Sequence, residues 1–192
     1  MRVYSIILAA GEGRRAGGCK LTKEIKGKPM LEWVVEKASV SDFSGTILVT
    51  GKERELGEML AERYGVVCVY NEKYKEGMSS SLKKGISMLP PDAEGFAVML
   101  GDMPFIEVDT INMLIDEFCK WPEIVVPIFR GKKGHPPIIS VRYVEEIFSA
   151  SGDKGARDVI KKNDRMVRYI EVNDEGTVLD IDFQSDFKVK KI

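Results

Sequence analysis

Histidine and cysteine are scarce: the 192 residues include one His and three Cys. Cys19, Cys68 and Cys119 lie about fifty residues apart, form no CxxC pair and make an odd count, which supports neither a disulfide framework nor a zinc knuckle. An excess of one charge is also missing, since Lys plus Arg total 29 against 30 for Asp plus Glu, a formal net charge of −1. With no block of like charge either, neither a nucleic acid nor a membrane surface is expected as a partner. The longest apolar run, Val3 to Ala10 (VYSIILAA), falls far below the ~20 residues of a membrane-spanning helix. Arg2 precedes it as in a secretory signal, but glycines and arginines replace it well before the ~15–30 residues such a signal occupies. A cytoplasmic protein is expected.

What is present is ordinary globular material, 44% hydrophobic and 31% charged. A chain of this size buries roughly 70% of its unfolded surface around one core, so a single domain over 1–192 is expected, without internal repeat, low-complexity segment or linker. Val3 to Leu8 reads as a buried parallel strand. A helix follows with Met30, Leu31, Val34, Val35 and Ala38 at helical spacing and Pro29 in its first turn. Thr46 to Thr50, Val66 to Tyr70 and Phe96 to Leu100 read as further strands. The helices between and after them are marked by Leu56, Met59, Leu60 and Tyr64; by Leu82, Ile86 and Leu89; and by Val108, Ile111, Leu114, Ile115 and Phe118. Ile124 to Phe129 and Ile138 to Val141 flank a polar loop and suit an antiparallel ribbon. A helix near Asp153 to Lys162 and strands at Val167 to Val172 and Val178 to Ile181 complete the pattern. Repeated βα units specify an α/β fold, a doubly wound, mostly parallel sheet with a small antiparallel β-ribbon.

In such a sheet ligands bind beyond the carboxyl ends of the strands. Leu8 to Lys20 (LAAGEGRRAGGCK) places four glycines and two arginines at such an end. Glycine lets backbone amides approach an anion closely, and Arg14, Arg15, Lys20 and Lys23 add positive charge. The segment reads as a polyphosphate cradle, against the plainer alternative of a tight turn with solvated charges. A Walker loop fails because Cys19 follows Gly18 where Lys is required. A dinucleotide fingerprint is met by Gly11, Gly13 and Ala16, but Gly51 and Lys52 follow strand two in place of the required acid.

Asp102, in Gly101-Asp102-Met103-Pro104, directly follows the apolar run FAVML and should face the same crevice. Magnesium takes one or two carboxylates and completes its shell with water and phosphate oxygens. Asp102 is therefore read as a metal ligand, its alternative being a turn aspartate before proline. Gly77 to Leu82 opens a helix with Ser79, Ser80 and Ser81, which suits either anion or base contact at a helix N-terminus or ordinary capping. His135, between Gly134 and two prolines, reads on its own as a turn residue.

LAAGEGRRAGGCK followed by GKPML (Gly27 to Leu31) resembles the signature LAAGxGxRxGxxK…GKPLL of the MobA-like and MocA-like nucleotidyltransferases of molybdenum cofactor biosynthesis. The similarity extends through GMSSSL, GDMP, GKKGHPP, GDKGARDVI at Gly152 to Ile160, and DIDFQSD at Asp180 to Asp186. The matches run from residue 3 to residue 186, nearly the whole chain. Ala16 replaces the usual Met or Phe, and Phe183 and Gln184 replace Thr and Pro.

The resemblance implies a Rossmann-like nucleotidyltransferase fold and magnesium as cofactor, held by Asp102 with Asp182. It implies that Arg15, Lys20 and the loop amides, including Gly13, hold the triphosphate of an NTP. The base would lie over Leu8, Ala9, Ala10 and Gly11 beside Ser79 to Ser81, with His135 near the acceptor. The reaction implied is attack by an acceptor phosphate on the α-phosphorus of the NTP with release of pyrophosphate, needing no protein nucleophile. The acceptor implied is molybdopterin, and a molybdoenzyme or chaperone would receive the product. LAAG rather than LAGG, Lys20-Leu21, GMSSSL and GHP favour CTP, whereas Met103 favours GTP. The rivals are a guanylyltransferase on the same cofactor, a sugar-phosphate nucleotidyltransferase and a non-catalytic nucleotide-binding module.

Overall fold

The apolar run at the start of the chain becomes the central strand. In a computed structural model that describes residues 1–11, 20–149 and 156–181, β1 (Val3–Ala9) is hydrogen-bonded on both sides. A short antiparallel pair, β2 (Glu24–Ile25) and β3 (Lys28–Pro29), leads into α1 (Met30–Val40). The chain continues as β4 (Gly45–Thr50), α2 (Arg54–Tyr64), β5 (Val67–Tyr70), α3 (Met78–Ile86) and β6 (Gly95–Leu100). After these come α4 (Val108–Lys120), β7 (Ile124–Phe129), β8 (Lys132–Lys133) and β9 (Ile138–Ser140). Two short helices, α5 (Val144–Ser149) and α6 (Ala156–Lys162), precede β10 (Val167–Glu171).

The main sheet runs β10-β7-β9-β6-β1-β4-β5, with β8 attached to β7. β1 lies parallel to both β4 and β6, and only β9 and β8 run against their neighbours. Successive side chains of a strand point to opposite faces, and β1 is apolar on both. Ile7 and Ala9 join Met30, Val34, Leu60, Leu114 and Phe118, which come from α1, α2 and α4. Ile6 and Leu8 join Leu82, Ile86, Ile147 and Val159, from α3, α5 and α6. The sheet is therefore covered by helices on each side, as a doubly wound sheet requires.

Three features depart from the sequence reading. Ile124–Phe129 and Ile138–Ser140 do pair antiparallel, but inside the main sheet, because β9 inserts between β6 and β7. The separate two-stranded sheet lies at 24–29 instead. It turns at Lys26 and Gly27, with φ of 50° and 76°, and β7 and β8 turn the same way at Arg130 and Gly131, with φ of 49° and 76°. Paired positive φ is what a two-residue hairpin demands. Finally, no strand forms at 178–181. Asp174 accepts from the Gly176 amide at 2.8 Å, and Glu175–Val178 winds into a 3₁₀ turn. Its Thr177 carbonyl accepts from the His135 amide rather than from a strand ladder.

Candidate active site

The carboxyl ends of β1, β4, β5 and β6 are fastened to one another. The Gly101 amide donates to the Leu8 carbonyl at 3.0 Å, and the Asn71 amide to the Thr50 carbonyl at 2.9 Å. Gly51 lies so close to β1 that a Cβ there would stand 2.8 Å from the Ala10 carbonyl oxygen. Leu8, Ala9 and Ala10 are buried and Gly11 is exposed. The start of α3 is tied to the same edge through Asn71, whose Nδ2 donates to Ser80 Oγ at 2.9 Å and to Ser81 Oγ at 3.0 Å. Ser80 in turn donates to the Lys73 and Gly77 carbonyls. Ser79 differs: its hydroxyl is buried without a hydrogen-bond partner among the described residues. A buried hydroxyl left unpaired costs about 1–3 kcal/mol, so a bound polar group that reached Ser79 would recover that loss.

Asp102 lies just beyond the end of β6, as expected, and Lys20, the residue after Cys19 in the sequence, reaches it. Lys20 Nζ is 2.8 Å from Asp102 Oδ2, with the two side chains 10% and 29% exposed. The ammonium shows that the carboxylate already binds a cation. A hard divalent ion needs only one or two carboxylates beside phosphate and water oxygens, so the donor type fits magnesium. Among the described residues no group of three or more His, Cys, Asp or Glu gathers into an all-protein cage. Gly13, Arg15 and Asp182 lie outside the described residues.

His135 lies within electrostatic reach of Asp102. Its amide donates to the Thr177 carbonyl at 2.7 Å, and its Nδ1 is 3.5 Å from the Val98 carbonyl oxygen. Burial pushes the imidazole pKa below its usual value, opposed by the Val98 carbonyl and the nearby Asp102 and Asp180 carboxylates, while Arg157 adds to the lowering. Ile181 donates its amide to the Asp102 carbonyl at 3.2 Å. The last described residue before Asp182 thus sits against Asp102.

Of the expected site residues, Lys20 pairs with Asp102, the neighbouring Gly101 bonds to the Leu8 carbonyl, His135 feels the Asp102 charge, and Ser80 and Ser81 accept hydrogen bonds from Asn71. Sequence reading passed over Asn71, and it included Arg157 and Asp180 only as members of the GDKGARDVI and DIDFQSD matches, without a role for either. Asn71 directly follows β5, so the rule that drew attention to Asp102 applies to it equally. The influence of the Asp180 and Arg157 charges on His135 could not be read from those motifs, since it depends on tertiary folding.

The carboxyl edge of a parallel sheet is where doubly wound folds bind their ligands, and the domain around it is of nucleotidyltransferase type. The MobA-like NTP transferase domain matches residues 5–167, and the chain belongs to that family. Its relatives include the molybdenum cofactor cytidylyltransferase of Escherichia coli K12, 25% identical over 97% of this chain and 94% of that protein. A probable molybdenum cofactor guanylyltransferase of Natranaerobius thermophilus is 30% identical over 72% of this chain and 65% of that protein. The bifunctional protein GlmU of Caldicellulosiruptor saccharolyticus is 34% identical over 57% of this chain, but the match covers only 24% of GlmU. The chain thus spans about a quarter to a third of the bifunctional relatives it matches. Among solved structures, Rv0371c of Mycobacterium tuberculosis H37Rv superposes with a TM-score of 0.86 and 26% identity, covering 98% of this chain and 96% of that one. The same protein has been solved in complex with manganese, with a TM-score of 0.76, 25% identity, and 90% and 89% coverage. Among the described residues no helix is long and apolar enough to cross a membrane.

Proposed function

We propose that the chain, as one catalytic domain, transfers CMP from CTP to the terminal phosphate of a molybdopterin-type acceptor and releases pyrophosphate. The observation that carries this reading is the Lys20–Asp102 pair at the carboxyl edge of β1 and β6, with Lys20 the last residue of the LAAGEGRRAGGCK run in the sequence. An acceptor phosphate oxygen attacks the α-phosphorus, the bond to the β-phosphate oxygen breaks, and a phosphoanhydride forms. The attacking oxygen is already anionic, so the protein contributes position and charge rather than a base. Asp102, with Asp182, would hold a magnesium ion, which supplies positive charge to the phosphates. Lys20 and Arg15 neutralise the departing pyrophosphate. The carbonyls of Leu8 to Ala10 accept from the cytosine N4 amino group, and the Ser79 hydroxyl donates to its N3 or O2.

Guanylyl transfer is the second reading, supported by Met103 and by the guanylyltransferase relative. Guanine offers acceptor and donors in the reverse pattern, and each buried group left unpaired costs about 1–3 kcal/mol. Pyrophosphate release measured with CTP, GTP and UTP against molybdopterin and sugar phosphates separates the readings. CTP with molybdopterin should be preferred over GTP by at least about tenfold in kcat/KM, and Ala10→Gly should relax that preference. Equal use of CTP and GTP would overturn the cytidylyl reading, release with sugar phosphates only would overturn the acceptor, and nucleotide binding without release would make the chain a non-catalytic module.

A further inference from the structure

We propose that Lys37 and Asp174 are positioning residues that clamp the Asp102-bearing loop, 101–107, to the C-terminal segment 172–181 and so set the geometry of the divalent-cation site. The inference rests on Asp102 as a metal ligand. Lys37 lies in the last turn of α1, where a lysine ordinarily faces water and complements the helix dipole. Here its Nζ instead donates to the carbonyls of Pro104 and Ile106, each at 2.8 Å. Burial pushes the ammonium pKa down, and the charges of Asp174, Glu107 and Glu36 oppose the shift. A lysine drawn out of water in this way grips the loop through two of its carbonyls.

Asp174, whose charge reaches Lys37, completes the grip. It is buried, and its two carboxylate oxygens serve different segments. Oδ1 accepts from the Gly176 amide at 2.8 Å, and Oδ2 from the Glu107 amide at 2.9 Å. Between these anchors the segments touch without a side chain, since a Cβ on Gly176 would stand 2.4 Å from the Phe105 carbonyl carbon and oxygen. At the near end of the loop, the Ile181 amide holds the Asp102 carbonyl at 3.2 Å. The loop is therefore held at Asp102, Phe105 and Glu107 by one short stretch of chain, which leads directly into Asp182. Magnesium tolerates little departure from octahedral geometry at 2.0–2.1 Å, whereas a triphosphate held by amides and mobile cations tolerates more. Loosening the clamp should thus harm metal binding before nucleotide binding.

The test is Mn²⁺ affinity of the full chain by electron paramagnetic resonance, for wild type, Asp102→Asn, Lys37→Met and Asp174→Asn. Wild type should bind Mn²⁺ and Asp102→Asn should lose it. Lys37→Met and Asp174→Asn should weaken it by about tenfold, the size of effect seen when a partner of a metal ligand is removed. Their kcat should fall at low metal and recover at saturating metal, with KM for CTP changed less than about twofold. Wild type that fails to bind Mn²⁺, or Asp102→Asn that binds it normally, overturns the metal reading and the clamp with it. Loss in Asp102→Asn with wild-type affinity in both clamp variants overturns the clamp alone, even where their melting temperatures drop. Should the variants not fold, hydrogen exchange of the wild type decides: Mg²⁺ with CTP should protect peptides over 101–107 and 172–181 together, and protection of one without the other overturns the clamp.

Discussion

Asp102 carries the strongest single-residue expectation. Asp102→Asn keeps the shape and removes the charge that Lys20 now faces, so turnover should fall about 100-fold or more. The same change should alter stability by less than about 1 kcal/mol, because the carboxylate is part-exposed at the crevice. Steady-state kinetics beside thermal melting checks both, and near-normal turnover would remove Asp102 from the reaction. Lys20→Ala and Arg15→Ala concern the outer phosphates, so each should weaken binding of CTP more than binding of CMP; equal weakening of the two by calorimetry would place those side chains elsewhere. His135 has a pH signature. With its folded pKa held below the ordinary 6.5, the folded state favours the neutral ring. The stability this contributes is present above about pH 6.5 and is lost as pH falls through the lower folded value. Melting temperature should therefore decline on acidification, and His135→Gln should flatten that decline between about pH 6.5 and 5, before most carboxylates titrate.

At the scale of elements, the placement of α3 decides where Ser79, Ser80 and Ser81 sit. Gly85 lets the helix lie against β1, since a Cβ there would stand 2.4 Å from Ile6 Cγ2 and 3.0 Å from Val49 Cγ2. Gly85→Ala should cost about 1–3 kcal/mol by overpacking, measurable by urea denaturation, and a stability gain would contradict this packing. The elements themselves were largely legible in the sequence. The unbroken apolar character of Val3 to Leu8 announces a strand buried on both faces, and the spacing of Met30, Leu31, Val34, Val35 and Ala38 marks a helix whose named positions are all buried. Asp102 and the glycine-rich segment could be found because both follow strands directly. What escaped depends on turn geometry or on partners remote in sequence. Lys26-Gly27 and Arg130-Gly131 lack the Asn-Gly or Asp-Gly form that signals a tight hairpin. Val178 to Ile181 has strand composition, yet Asp174 commits the preceding residues to a turn. Lys37 looks like any helix-end lysine until Pro104 and Ile106 are seen beside it.

For the molecule as a whole, one sheet edge gathers the described residues expected to handle base, phosphate and metal. β1 ends in the peptide groups proposed to face the base, Lys20 and Asp102 pair after β1 and β6, and the turn after β10 brings Thr177 and Ile181 against His135 and Asp102. Helices cover the sheet on both faces, and the clamp of Lys37 and Asp174 fixes one wall of that edge. A crystal structure with CTP and Mn²⁺, the metal located by its anomalous scattering, tests this arrangement most directly. The account predicts an anomalous peak bonded to the Asp102 carboxylate, Lys20 turned from Asp102 to the triphosphate, and the cytosine over Leu8 to Gly11 within hydrogen-bond reach of Ser79. A metal bound away from Asp102, or a triphosphate seated away from Lys20, would contradict it.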